Sequence, residues 1–308
     1  MSRTIFFNGK FVAEAQAVVP ITTHALHYGT GCFEGIRAYY SEKEKVLLVF
    51  RMLDHYKRLL ESCKILMTTP PHSVKELCDI TVKLLQKNFS QEDLYIRPLA
   101  YKADPAVGNF NLKTLKNGFA MYTVALGRYL NTDKGIRANV SSWKRVPDNA
   151  IPPRGKLTGS YVNTALAKSE SLFAGYEEAI LLDNDGHVTE GSAENIFIIK
   201  NGIVITPPES ADILIGITRQ TIMMLCKNDL EIQVLERNID RSELYLADEI
   251  FLVGTGAEVT PVISVDGRDI GNGKTGIVTT KIKETYFQLV HGTYPKYQEY
   301  ITRVNPQT

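Results

Sequence analysis

Cysteine is sparse in this 308-residue chain: Cys32, Cys63, Cys78 and Cys226 lie far apart, with no CxxC pair and no His/Cys cluster at ligand spacing. That argues against a zinc site or a redox motif and leaves buried free thiols as the plain reading. An excess of charge is lacking too. Lys and Arg number 35 against 34 Asp and Glu, a formal net charge of +1, and the basic residues are scattered. No electrostatic footprint for nucleic acid or an anionic membrane follows from that pattern. No apolar run approaches the ~18 residues that span a bilayer, and the opening "MSRTIFFNGKFV" has no cleavable apolar core. Internal repeats and low-complexity segments are missing as well. The expectation is a soluble, cytoplasmic protein that binds small molecules, without nucleic acid, membrane or metal.

What is present is an ordinary globular composition, 44% hydrophobic and 22% charged. Two Asn-Gly pairs, in "TIFFNGKFV" and "NIFIIKNGIVI", predict hairpins, because both central residues of a type I′ turn need positive φ. Between them, Met52, Leu53, Tyr56, Leu59, Leu60 and Cys63 repeat at helical spacing, and Ser73 with Glu76 makes a capping box before "LCDITVKLLQKN". After strand-like "DLYIRPLAY" and "GFAMYTVAL", the polar "GRYLNTDKG" reads as a linker. The second half predicts a strand at "ANVSSW", a helix over 161–174, strands at "AILLD" and "HVTE", and a helix after Gly216. Further on come a capped helix at Asp240–Glu243, strand "EIFLVG", a hairpin at "VDGRD" and a final helix from about Lys274. Helices and strands mix without a βαβ beat, which predicts an α+β protein of two domains. The boundaries read as 1–125, a loop at 126–137, and 138–308.

One lysine stands out. In "PPRGKLTGSYVN", Lys156 lies between Gly155 and Gly159 ahead of a helix whose Val162, Ala165, Leu166 and Leu172 are expected to face inward. A lysine acts as a nucleophile only when its amine is deprotonated by desolvation or a nearby cation, and it then forms a Schiff base with a carbonyl. A solvated surface lysine fits the same stretch. Glu190 ends a strand in "HVTEGSAENIF", where a carboxylate can meet a ligand or form a structural salt bridge. Gly216, Ile217 and Thr218 open a helix whose free amides suit a phosphate, and plain capping suits them equally. Thr255, Gly256 and Ala257 offer a second anion nest or a simple turn. Arg58 lies on a helical stripe, able to turn inward or to snorkel. Together these are the parts of a pyridoxal-phosphate site.

The blocks "HALHYGTGCFEGIRAY", "YIRPL", "GKLTGSYVNTALAKSES", "VTEGSAENIF", "LIGITR" and "FLVGTGAEVTPV" resemble branched-chain amino acid aminotransferases, in family order from about residue 5 to residue 285. The resemblance implies a two-domain fold-type IV architecture, similar to D-amino acid aminotransferase, with mixed and antiparallel sheets and flanking helices. It implies pyridoxal 5′-phosphate as cofactor, carried by Lys156, which also moves the proton between the substrate α-carbon and the cofactor C4′. Glu190 would pair with the pyridine nitrogen and Tyr161 with O3′, while Arg58, Ile217, Thr218 and Thr255 would hold the phosphate. Tyr95 and Arg97, alternating to one face of a strand, would manage carboxylates together with the backbone of Gly256 and Ala257. Phe33 and Tyr129 would line the side-chain pocket, with Tyr28 reaching in from a neighbouring subunit; core packing is the other reading of these three. The smallest active unit would be a homodimer, with a hexamer as a larger arrangement. The implied reaction is ping-pong transfer from L-leucine, L-isoleucine or L-valine to 2-oxoglutarate, giving the 2-oxo acid and L-glutamate. Tyr95 with Arg97 and "GTGAEVTP" argue against a D-amino acid aminotransferase or an aminodeoxychorismate lyase but not against an (R)-amine or aromatic-leaning aminotransferase, and retention of Lys156 and Glu190 argues against a non-catalytic carrier. Leu126 stands where bacterial relatives often carry tryptophan, "ADPAVGNFNL" departs from the usual loop, and the CxxC of some mammalian members is missing.

Overall fold

A computed structural model describes residues 3–127 and 134–307. They divide into two compact units: the residues through Gly127 with Gly155–Gly159 and those from Leu289 on, and the residues up to Arg154 with Ser160–Gln288.

In the first unit, β1 (Thr4–Phe7) and β2 (Lys10–Ala13) form the expected hairpin, with Asn8 and Gly9 at φ of 44° and 89°. There follow α1 (His24–Tyr28), β3 (Gly31–Phe33), β4 (Ile36–Ser41), β5 (Val46–Phe50), α2 (Met52–Ile65), α3 (Val74–Lys87), β6 (Leu94–Lys102) and β7 (Asn117–Ala125). The capping box at the start of α3 forms as expected, Ser73 N donating to Glu76 Oε2 at 2.7 Å and Glu76 N to Ser73 Oγ at 3.3 Å. The sheet order is β5, β4, β6, β7, β1, β2, with β3 beside β6 and the C-terminal strand Ile301–Val304 beyond β5. That last strand sets Ile301 opposite Phe50 and Val304 opposite Leu47. The expected second domain, 138–308, therefore differs from the observed division at its end. All five residues of β5 are buried, so this strand needs a neighbour on both sides, and the neighbour comes from the far end of the chain.

The second unit contains β8 (Ile136–Val140), α4 (Tyr161–Phe173), β9 (Glu178–Leu182), β10 (Val188–Gly191), β11 (Asn195–Lys200), β12 (Ile203–Thr206), α5 (Ile217–Asn228), β13 (Val234–Glu236), α6 (Arg241–Leu246), β14 (Glu249–Gly254), β15 (Glu258–Val265), β16 (Arg268–Asp269) and α7 (Ile277–Val290). Its sheet runs β10, β9, β8, β15, β14, β11, β12, β13, and a further pairing of β10 with β11 closes the first six strands into a ring. β8 is parallel to both neighbours; β14 and β11 are antiparallel. Period-2 alternation sorts the side chains: Ile196, Ile198, Ile250 and Leu252 join one buried cluster, while Phe197 and Phe251 stack on the opposite face at 5.0 Å. Each such buried Ile or Leu contributes roughly 1.5–3 kcal/mol.

One expectation about α4 is overturned. Val162, Ala165, Leu166 and Leu172 are exposed, Val162 to 64%, and the buried contact is made by Ala167, packed with Ala179 and Leu181 of β9. Small residues let the helix lie close on the strand, so the apolar stripe points away from it. Among the described residues no helix is long and apolar enough to cross a membrane.

Candidate active site

In the first unit the turn carrying Lys156 is fastened at both of its backbone polar groups. Lys156 N donates to Ser62 Oγ of α2 at 3.1 Å, and Lys156 O accepts from Phe33 N of β3 at 3.0 Å. Thr158 Oγ1 donates to Gly29 O at 2.7 Å, and a Cβ at Gly29 would lie 2.7 Å from Gly159 Cα. Glycine is therefore required where these two backbones meet. The side chains converge on Phe33. Lys156 Nζ lies 5.1 Å from its ring centroid and the Arg97 guanidinium 4.3 Å from it, while Arg97 Nη2 donates to Tyr95 Oη at 2.9 Å. A Cβ at Gly35 would lie 2.0 Å from Tyr95 Oη, so Gly35 makes the space that Tyr95 occupies.

Arg58 is turned inward, its Nε and Nη2 donating to Glu34 at 2.6 and 2.8 Å. Glu34 is fully buried and also accepts from His55 Nδ1 at 2.7 Å. Burial alone would push this carboxyl up, but Arg58 and His55 outweigh it and hold Glu34 well below the usual carboxylate range. Burial lowers His55, so a neutral ring donates to an ionised carboxylate. Tyr28 packs elsewhere, its ring 5.0 Å from Phe110 and its hydroxyl accepting from Gly108 N at 3.1 Å. Tyr129 lies outside the described residues.

In the second unit Glu190 is buried on the strand that closes the ring. It pairs with the equally buried Arg145 at 2.8 Å and accepts from Asn195 Nδ2 and Leu214 N, each at 3.2 Å. The pair sets a guanidinium against a carboxylate with both side chains out of solvent. Asn195 sits opposite Glu190 in β10–β11 and opposite Val253 in β11–β14, and its Nδ2 also donates to Leu214 O at 2.9 Å. A Cβ at Gly216 would lie 2.1 Å from Asn195 Oδ1. Asn195 thus gathers Glu190, the start of α5 with buried Ile217 and Thr218, and the strand leading to Thr255, Gly256 and Ala257. Gly216 gives α5 no side-chain cap, and the N-terminal end of a helix is the end whose dipole suits an anion. Among the described residues other than its chain neighbours, nothing lies within 4 Å of a Cβ built at Gly256. Half-buried Tyr161 opens α4, which Thr164 Oγ1 ties to Ser192 O at 2.7 Å.

Sequence reasoning missed Arg145, Asn195, Glu34, His55 and Gly35. Glu34 carried a signal, a carboxylate inside the otherwise apolar "GCFEGIRAYY"; Arg145 in "SSWKRVP" carried none. Glu194 was missed too. Burial, and after it Glu178, pushes its carboxyl up to about 8. The folded state then holds a proton that the unfolded chain has released above its own pKa of ~4.3, so this group makes stability fall as pH rises from there to about 8. Glu194→Gln is expected to raise Tm by several degrees at pH 8 and hardly at pH 4.5, checked by thermal melts at the two pH values.

The family profile of class IV amino-transferases matches residues 31–265, and the chain belongs to that family. Within it the chain falls among the branched-chain-amino-acid aminotransferases. It is 49% identical to the probable branched-chain-amino-acid aminotransferase of Aquifex aeolicus over 97% of this chain and 96% of that one. Its fold matches the Thermoproteus uzoniensis branched-chain aminotransferase solved with norvaline, with a TM-score of 0.94 and 43% identity over 99% and 100% of the two chains. The T.th. branched-chain amino acid aminotransferase, solved with N-(5′-phosphopyridoxyl)-L-glutamate, matches with a TM-score of 0.93 and 40% identity over 99% of each chain.

Proposed function

We propose that this aminotransferase uses pyridoxal 5′-phosphate to move the amino group of L-leucine, L-isoleucine or L-valine to 2-oxoglutarate, reversibly and in two half-reactions at one site. The observation that carries the reading is the grouping on Phe33: an amine able to attack a carbonyl and a guanidinium able to hold a carboxylate share one apolar wall. The residues fit the cofactor by charge. A buried carboxylate paired with Arg145 suits a protonated pyridine nitrogen, and a helix start with a glycine N-cap suits a phosphate.

Lys156 Nζ would hold the cofactor and take up the proton removed from the substrate α-carbon. When bound, the cofactor supplies an electron sink for the carbanion left at that carbon. Glu190 would pair with the pyridine nitrogen and keep it protonated, and the Tyr161 hydroxyl would hydrogen-bond O3′. Arg58, fixed in direction by Glu34, would hold the phosphate, as would the amides of Ile217 and Thr218 and Thr255. Tyr95, Arg97 and the backbone of Gly256 and Ala257 hold carboxylates, so an apolar branch and a γ-carboxylate are accepted in turn against Phe33. Tyr28 completes the side-chain pocket from a second copy in at least a homodimer. The exposed apolar face of α4, with Val162 and Leu166, supports that self-association. Stoichiometric L-glutamate formation from L-leucine and 2-oxoglutarate, with parallel initial-velocity lines, tests the reading; intersecting lines or no glutamate would refute it.

A further inference from the structure

The scattered cysteines do not stay apart in the fold. Cys32 of β3 and Cys63 of α2 are 0% and 1% exposed, and their Sγ atoms lie 3.3 Å apart. Each sits beside a backbone support of Lys156. Phe33, next to Cys32, donates its amide to Lys156 O, and Ser62, next to Cys63, accepts from Lys156 N; Cys32 itself bridges Leu157. We propose that Cys32 and Cys63 form an oxidant-dependent disulfide that staples β3 to α2 at the two supports of the Lys156 turn.

With hydrogen peroxide as oxidant the step balances. One sulfur loses its proton and attacks a peroxide oxygen, breaking the O–O bond and releasing water to leave a sulfenic acid. The second sulfur displaces that hydroxyl as another water, and the S–S bond forms. Two electrons leave the sulfurs and reduce the peroxide to two waters. The sulfur atoms must close from 3.3 Å to about 2.05 Å. That is a short movement between a strand edge and a helix, and it joins residues 31 positions apart. Tying so long a loop restricts the unfolded chain, the main source of disulfide stabilisation in the chain-entropy account. The hydrogen bond to Cys63, and after it burial, pushes the Cys32 thiol up, so it is protonated at neutral pH and reacts only as the core opens. Cys226 lies buried in the other unit and Cys78 is half-buried on α3, both as free thiols.

The test uses the full-length protein in two preparations: one incubated natively with hydrogen peroxide for hours, the other refolded from denaturant in reduced and oxidised glutathione. Each is then unfolded, alkylated with iodoacetamide with and without prior reduction, and mapped by mass spectrometry. The expected result is a linked peptide pair containing Cys32 and Cys63 in at least one preparation. Its Tm should lie several degrees above that of the reduced protein and return on adding reductant. Cys63→Ala and Cys32→Val, each keeping an apolar side chain, should show no such reductant-dependent shift. Alkylation of both Cys32 and Cys63 in both preparations would overturn the proposal, as would a linked protein whose Tm ignores reductant.

Discussion

Lys156→Ala is expected to lower kcat for glutamate formation by roughly 10⁴-fold or more, the scale of losing a general acid–base group that is also the covalent tether. The fold should survive, because Ser62 and Phe33 hold the backbone of residue 156 through its own amide and carbonyl, neither of which the substitution touches. An unchanged melting curve beside lost turnover separates chemistry from stability. Appreciable steady-state activity in the variant would remove Lys156 from the mechanism.

Glu190→Gln should lower kcat by roughly 10²–10³-fold, the usual cost of deleting one preorganised charge partner. It also leaves Arg145, which is 7% exposed at its side chain, buried without an anion. Breaking a buried pair from one side costs roughly 3–5 kcal/mol, so the single variant should melt early as well as react slowly. The double variant Arg145→Met with Glu190→Gln removes both charges, and it should recover most of the melting temperature without recovering turnover. Steady-state rates and thermal melts on the three proteins decide the matter: recovery of both properties together would mean that Glu190 serves only structure.

The parts of this protein legible in its sequence are those set by local rules. Positive φ at Asn8-Gly9 and Asn201-Gly202 demanded hairpins, and both formed. The capping box at Ser73 marked the start of α3, and alternation placed Tyr95 and Arg97 together on one face of β6. Long-range pairings were not legible. Nothing in "ITRV" announces β5 as its partner, and nothing in "SSWKRVP" announces that Arg145 closes on Glu190. The stripe of α4 misled for a related reason: periodicity identifies an apolar face but not what the face meets, and here small residues made the intramolecular contact. Cys32 and Cys63 are 31 positions apart in the chain, and only the packing of β3 on α2 brings their sulfurs to 3.3 Å.

The most direct measurement is the visible spectrum of the cofactor-loaded protein, before and after addition of L-leucine and, separately, of D-alanine. The account predicts that L-leucine alone converts the absorbance of the pyridoxal form to that of the pyridoxamine form and that 2-oxoglutarate reverses it. Conversion by D-alanine and not by L-leucine, or no cofactor band at all, would contradict it.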